Sequence, residues 1–170
     1  IGVRLSTSST ENHGNIGSNA VDLSFSSSSS ETKGATGDNS LASGLNTTAS
    51  GNVSSAIGIN TIASDYSSFA IGQYNNSLSS ITTNGNATAF DLNNTAFVIG
   101  NGTASDAKSD AFKVLFNGDA TIGKDLTIKG DILVSSDAKL KTNIASLGST
   151  LAKLLLLDGK TYTMKKDGKQ

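Results

Sequence analysis

The sequence has no cysteine, no proline and no tryptophan, and one methionine and one histidine among 170 residues. Without cysteine there are no disulfides and no thiolate metal sites. Large apolar groups are scarce too: aromatics are 5% and hydrophobic residues 36% of the chain. Ordering each residue costs roughly 1–2 kcal/mol of backbone entropy, whereas fully burying one aliphatic side chain returns only about 1.5–3 kcal/mol. A lone globule is therefore hard to stabilise, and the deficit points either to disorder or to apolar surface shared between chains. Disordered chains tend to carry proline and high net charge, but this one has no proline and a formal charge of −1. That balance gives no electrostatic case for nucleic acid or for an anionic membrane. No apolar run approaches the ~20 residues of a membrane span. The chain opens at Ile1 without a signal peptide, which suggests a fragment or a mature product.

What the sequence does have is repetition. "DNSLASGLNTTASG", "NVSSAIGINTIASD" and "YSSFAIGQYNNSLS" align at a period of fourteen over residues 38–79. Serines align at Ser40, Ser54 and Ser68, alanines at Ala42, Ala56 and Ala70, and glycines at Gly44, Gly58 and Gly72, with Ala49, Ala63 and Ser77 in the second half. Small residues in columns, with glycine where the chain must corner, predict a stacked β-solenoid whose coils advance ~4.8 Å each. "TAFVIGNGT" (Thr95–Thr103) returns to register, because Gly100 lies two periods after Gly72. Residues 14–37 read as a decayed or inserted coil, with Ser26 to Ser30 as a loop.

A different period follows. Phe112, Val114 and Phe116 alternate with Lys113 and Leu115 up to an Asn117-Gly118 turn, a hairpin signal. The repeat then becomes six: "GDATIG", "KDLTIK", "GDILVS", with Ala120, Leu126 and Ile132, Ile122, Ile128 and Val134, and Asp119, Asp125 and Asp131 in columns. Two inward positions per short strand cannot enclose a core in one chain, but three chains around an axis can. "SDAKLK" continues the hexad, with Ser136 at the turn, Asp137 in the acidic column and Ala138 and Leu140 in the apolar ones. Ile144, Leu147, Leu151 and Leu154 have helical spacing, with Gly159 as a stop.

Two resemblances fit this layout. "SLASGLNTTASGNVSSAIGINTIASDYSSFAIG" resembles the head repeats of trimeric autotransporter adhesins, which implies a left-handed parallel β-roll in a homotrimer; similar repeats occur in phage fibres. "SSDAKLKTNIASLGSTLAKLLLLDGKTYTMKKDG" resembles the start of the endosialidase-type intramolecular chaperone of phage tail fibres and tailspikes, through its Ser-Asp, Leu-Lys, Asn143-Ile144, leucine run, Gly159 and Tyr162. That family assists trimer assembly and then cuts itself off, so the resemblance implies a serine nucleophile at Ser136 and a lysine base at Lys141. A lysine can accept a serine's proton when burial lowers its pKa. Asp137 could orient Lys141, and which bond at Ser136 is cut stays open. The family's domain is longer than residues 136–170, which leaves either an incomplete chaperone or a short uncut remnant.

The expected fold is all-β: a fibrous homotrimer with irregular coils over 1–37, a β-roll head over 38–111, a β-prism or triple-stranded β-helix shaft over 112–135, and the chaperone's N-terminal part, with a short helix, over 136–170. The expected function is a phage or viral tail fibre that meets a host surface, placed in the virion or at the cell surface, with a receptor or glycan as partner. The alternatives are a bacterial trimeric adhesin and a self-cleaving serine peptidase module, at most an autoproteolytic one acting on its own chain. No cofactor or metal is expected. His13 would need trimer symmetry to build a site, and the Asp119–Asp125–Asp131 ladder reads as solvated charge. The sequons at Asn46, Asn52, Asn75, Asn86, Asn93 and Asn101 are what an Asn/Ser/Thr-rich composition produces.

Overall fold

The computed structural model describes residues 1–5, 8–76 and 86–131. The chain divides into two compact units, Ile1–Thr127 and Ile128–Gln170; of the second, only 128–131 are described. The described chain is all-β apart from one 3₁₀ turn at Thr10–Asn12. Its strands are β1 (Val3–Arg4), β2 (Val21–Phe25), β3 (Gly34–Ala35), β4 (Leu41–Leu45), β5 (Thr48–Ala49), β6 (Ser55–Ile59), β7 (Ile62–Ala63), β8 (Phe69–Gln73), β9 (Thr95–Asn101), β10 (Asp110–Leu115) and β11 (Ala120–Ile122). They form an eight-stranded sheet, β1-β2-β4-β6-β8-β9-β10-β11, and a three-stranded sheet, β3-β5-β7.

The register follows the fourteen-residue period. β4, β6 and β8 pair in parallel, Ala42↔Ala56↔Ala70 and Gly44↔Gly58↔Gly72, while β5 and β7 pair Ala49↔Ala63. β9 rejoins at Ala70↔Val98 and Gly72↔Gly100, skipping one coil's length of chain. Residues 1–37, whose sequence looked irregular, occupy the same columns: Val21 pairs with Leu41 and Ala35 with Ala49. The repeat is hidden there because extra residues lie between β2 and β3, where Ser26 to Ser30 fall outside any strand, and between β1 and β2, where the 3₁₀ turn lies. The hairpin joins the same sheet. β10 pairs antiparallel with both β9 and β11, so residues 110–122 continue the long sheet. Gly118, at φ +94°, closes the turn by donating its N–H to the Leu115 carbonyl. Residues 123–131 of the hexad segment form no strand and are exposed.

The core is an alanine ladder. Ala20, Ala35, Ala42, Ala49, Ala56, Ala63, Ala70 and Val98 are its buried apolar members. Apart from Val98, no apolar side chain larger than alanine is buried among the described residues, and small hydroxyl side chains such as Ser54, Thr47 and Thr61 are buried beside the ladder. The Gly44–Gly58–Gly72 column has φ of +119°, +128° and +94°, and a Cβ on Gly58 would run into the Gly72 carbonyl oxygen. Glycine is therefore required there both by conformation and by the approach of the next coil.

Both ends of the ladder are sealed by polar groups. At the N-terminal end Asp22 takes the alanine column's place opposite Ala42 and is fully buried. Arg4 Nε donates to Asp22 Oδ2 at 2.8 Å and Arg4 Nη2 to the Gly14 carbonyl at 2.7 Å, while Ser24 donates its hydroxyl to Asp22 Oδ1 at 2.6 Å. At the other end Asn75 substitutes for a further strand on β7: its amide donates to the Ile62 carbonyl at 3.0 Å and its Oδ1 accepts the Ile62 N–H at 2.7 Å. Asp65 sits in the column of Gly37 and Gly51 and its Oδ2 accepts the Thr95 N–H at 2.7 Å. Gly37 and Gly51 each face the next coil's backbone too closely for a side chain; at Asp65 the stack gives way to β9 and a side chain fits. Burial pushes the Asp65 carboxyl above its ordinary value of 3.8; the Thr95 hydrogen bonds oppose this and the Asp91 charge adds to it.

Arg4→Ala would strand the buried Asp22 charge and is expected to cost about 3 kcal/mol in chemical denaturation. Adding Asp22→Ala restores the column's own residue and is expected to recover most of that loss. Asp65 holds its proton more tightly folded than unfolded, so its contribution to stability is present in acid and is lost as pH rises above the ordinary carboxylate value of 3.8. Asp65→Asn, which keeps an acceptor for Thr95, is expected to raise Tm at pH 7, the gap to wild type closing as pH falls toward 3.8.

Candidate assembly surface

Every long strand that points an alanine inward points its bulky residues outward. In the long sheet, one outward column runs Val21, Leu41, Ser55, Phe69, Phe97; the next Leu23, Ser43, Ile57, Ile71, Ile99; the third Phe25, Leu45, Ile59, Gln73, Asn101. The hairpin extends the face, with Ile99, Phe112 and Ile122 opposite one another and Phe97 opposite Val114. Phe69 packs at a tilt against Phe97, 5.7 Å between ring centroids, and Phe97 likewise against Phe112 at 6.2 Å. Leu23, Phe25, Ile57, Ile59 and Phe69 remain 37–54% exposed. Isolated exposed apolar groups are ordinary, but a sheet face that is mostly apolar over several coils, broken at Ser43 and Ser55, marks an interaction surface. Covering each half-exposed Leu, Ile or Phe contributes on the order of 1 kcal/mol.

The sequence-based reading rested on the alanine and glycine columns and passed over this face. Its signal was present in the opposite parity of the same strands, in Leu41, Leu45, Ile57, Ile59, Phe69 and Ile71.

Ser136, Asp137 and Lys141 lie outside the described residues, as do the helix expected from Ile144 and the hexad columns from Ile132 onward. His13 is buried in the first coil. Its Nδ1 lies 3.0 Å from the Ser9 carbonyl, to which it donates, and its Nε2 is buried with no hydrogen-bond partner. Asp119, Asp125 and Asp131 are exposed. Among the described residues no three His, Asp or Glu side chains gather where they could hold a metal ion, and no helix is long and apolar enough to cross a membrane. Of the sequon asparagines, Asn75 is fully buried and its amide is committed to Ile62, so it is closed to glycosylation.

Residues 136–170 match the family model described as chaperone of endosialidase. No curated protein and no solved structure shows a match to the chain.

Ile57→Asp puts a carboxylate in the middle of the apolar face without touching the alanine interior. Light scattering is expected to show self-association in the wild type and its loss in the variant, with the β-sheet circular dichroism unchanged. A wild type that stays a single chain would mean that the face stands open to water.

Proposed function

We propose that the chain is part of a homotrimeric attachment fibre of a phage or virus, with residues 38–111 as a parallel β-roll head, 112–135 as a shaft and 136–170 as the start of an assembly chaperone. The observation that carries the reading is the largely apolar outer face of the long sheet, in a chain whose C-terminal residues match the endosialidase chaperone family. A chain with an alanine core and its large apolar groups outside gains most by sharing them, and a threefold arrangement makes one patch serve every subunit. The exposed Ile122, Leu126 and Ile128 of the hexad segment favour the same sharing in the shaft. A host-surface receptor then meets the loops and corners that face away from the axis, and the virion is the place of action. A bacterial trimeric adhesin is the second reading. It draws on the fourteen-residue repeat alone and leaves the chaperone match without a role.

In this reading the chaperone segment reports assembly by cutting itself off. The Ser136 hydroxyl attacks a backbone carbonyl at the junction while its proton passes to a neutral Lys141 amine. The peptide C–N bond breaks, Lys141 returns the proton to the departing amine, and water hydrolyses the ester. Trimer formation supplies the burial that keeps Lys141 neutral, and Asp137 orients it. Attachment and self-cleavage are separate: the fibre is the product, and the peptidase acts once on its own chain.

A full-length gene product is expected to run as two bands on a denaturing gel, and Ser136→Ala or Lys141→Ala as one. Continued splitting in both variants would remove the dyad.

A further inference from the structure

The repeat is broken in two places that border the same groove. One is the stretch between β2 and β3, which brings in Lys33; the other is the stretch between β9 and β10, which brings in Lys108. Between them the corners of three successive coils, Asn46, Asn60 and Tyr74, line a cleft of about 210 Å³, with Ile62 in its wall. Adjacent coils stand about 4.8 Å apart, so the cleft is roughly 10 Å long from the first corner to the third. Among the described residues no acidic side chain lines it. Lys33 Nζ donates, among the described residues, to neutral oxygens: Asn46 Oδ1 at 2.9 Å and the hydroxyls of Ser26 and Ser28 at 3.2 Å each. Asn60 forms no side-chain hydrogen bond with the described residues.

The third corner is the anomaly. Asn46, Asn60 and Tyr74 have φ of +55°, +52° and +43°. Asparagine adopts the left-handed region with little strain; a bulky aromatic does so rarely. Tyr74 is held there by hydrogen bonds on both sides, its N–H to the Ile59 carbonyl at 3.0 Å and its carbonyl from the Ser109 N–H at 3.1 Å. Val53, away from the cleft, has φ of +61°, so strain alone does not mark a site; what sets Tyr74 apart is that it brings a large ring to the wall of the cleft where the two preceding coils have asparagine.

We propose that this cleft binds an acidic oligosaccharide. A sugar ring lies against the half-buried Tyr74 ring, its hydroxyls meet the Asn60 amide, and its carboxylate meets the ammonium groups of Lys33 and Lys108. The site deepens the attachment reading above and rests on it for the biological source of the sugar, but the binding itself does not require it. The ring and the amide favour a saccharide over an acidic peptide, because stacking and hydroxyl recognition use both features and a peptide carboxylate would need only the lysines.

The probe is trigalacturonate, titrated by calorimetry into the whole chain, with solution mass measured on the same sample. Failure of assembly then shows in the mass, and failure of the site in the heat. Binding with Kd on the order of 1 mM or tighter is expected, weakening as salt is added. Lys33→Gln with Lys108→Gln is expected to weaken it at least tenfold with the β-sheet circular dichroism unchanged. Tyr74→Asn, which restores the column's residue, is expected to weaken binding to the same degree while Tm holds or rises. The proposal is overturned if trigalacturonate gives no heat at millimolar concentration, or if the variants bind as the wild type does. Equal binding of neutral galactotriose, or of triglutamate, would also overturn it.

Discussion

The interior of a fourteen-residue coil has room for methyl groups and little more. Two strands, one of five residues and one of two, face each other so closely that the buried apolar column is alanine at nearly every level. Everything else about the molecule follows from that confinement. Glycine must take the corner where one coil's backbone meets the next, as at Gly58 against Gly72. Large apolar residues, excluded from the inside, lie on the outer face of the long sheet. Backbone pairing between coils holds the stack together, and it leaves an apolar surface to be covered.

The ends of such a stack present unpaired backbone and a break in the column. Here each end is closed by a side chain that the interior of the repeat could not hold. Asp22 replaces an alanine at one end with Arg4 as counter-ion; Asn75 and Asp65 imitate a missing strand at the other. These polar substitutions are tolerated because none of the three side chains is buried without a hydrogen-bond partner.

The all-β character and the register of β4, β6 and β8 were legible because the period is strict and the small residues cannot be exchanged for larger ones. The return of register at Gly100 was legible for the same reason: Gly72 needs a partner with no side chain in its way. Residues 1–37 were harder, because an insertion leaves the column intact in space while shifting it in sequence; Val21 stands twenty residues before its partner Leu41, not fourteen. The membership of β10 in the long sheet was illegible, since an alternating strand carries no sign of which neighbour it will pair with. Of the candidate sites, the Ser136–Lys141 pair rests on resemblance and a family match over 136–170. The Lys33–Lys108 cleft had no sequence signal beyond two interruptions of the repeat, because its walls come from residues far apart in the chain.

The central claim is that the long sheet's outer face is buried among three copies of the chain. Because the native sequence has no cysteine, a nitroxide placed at Glu11→Cys, an exposed position in the 3₁₀ turn outside the outward columns, labels one site per chain. Pulsed dipolar spectroscopy is then expected to give one narrow interchain distance with the modulation depth of three coupled spins. The absence of dipolar coupling, or the depth of a two-spin pair, would contradict the account.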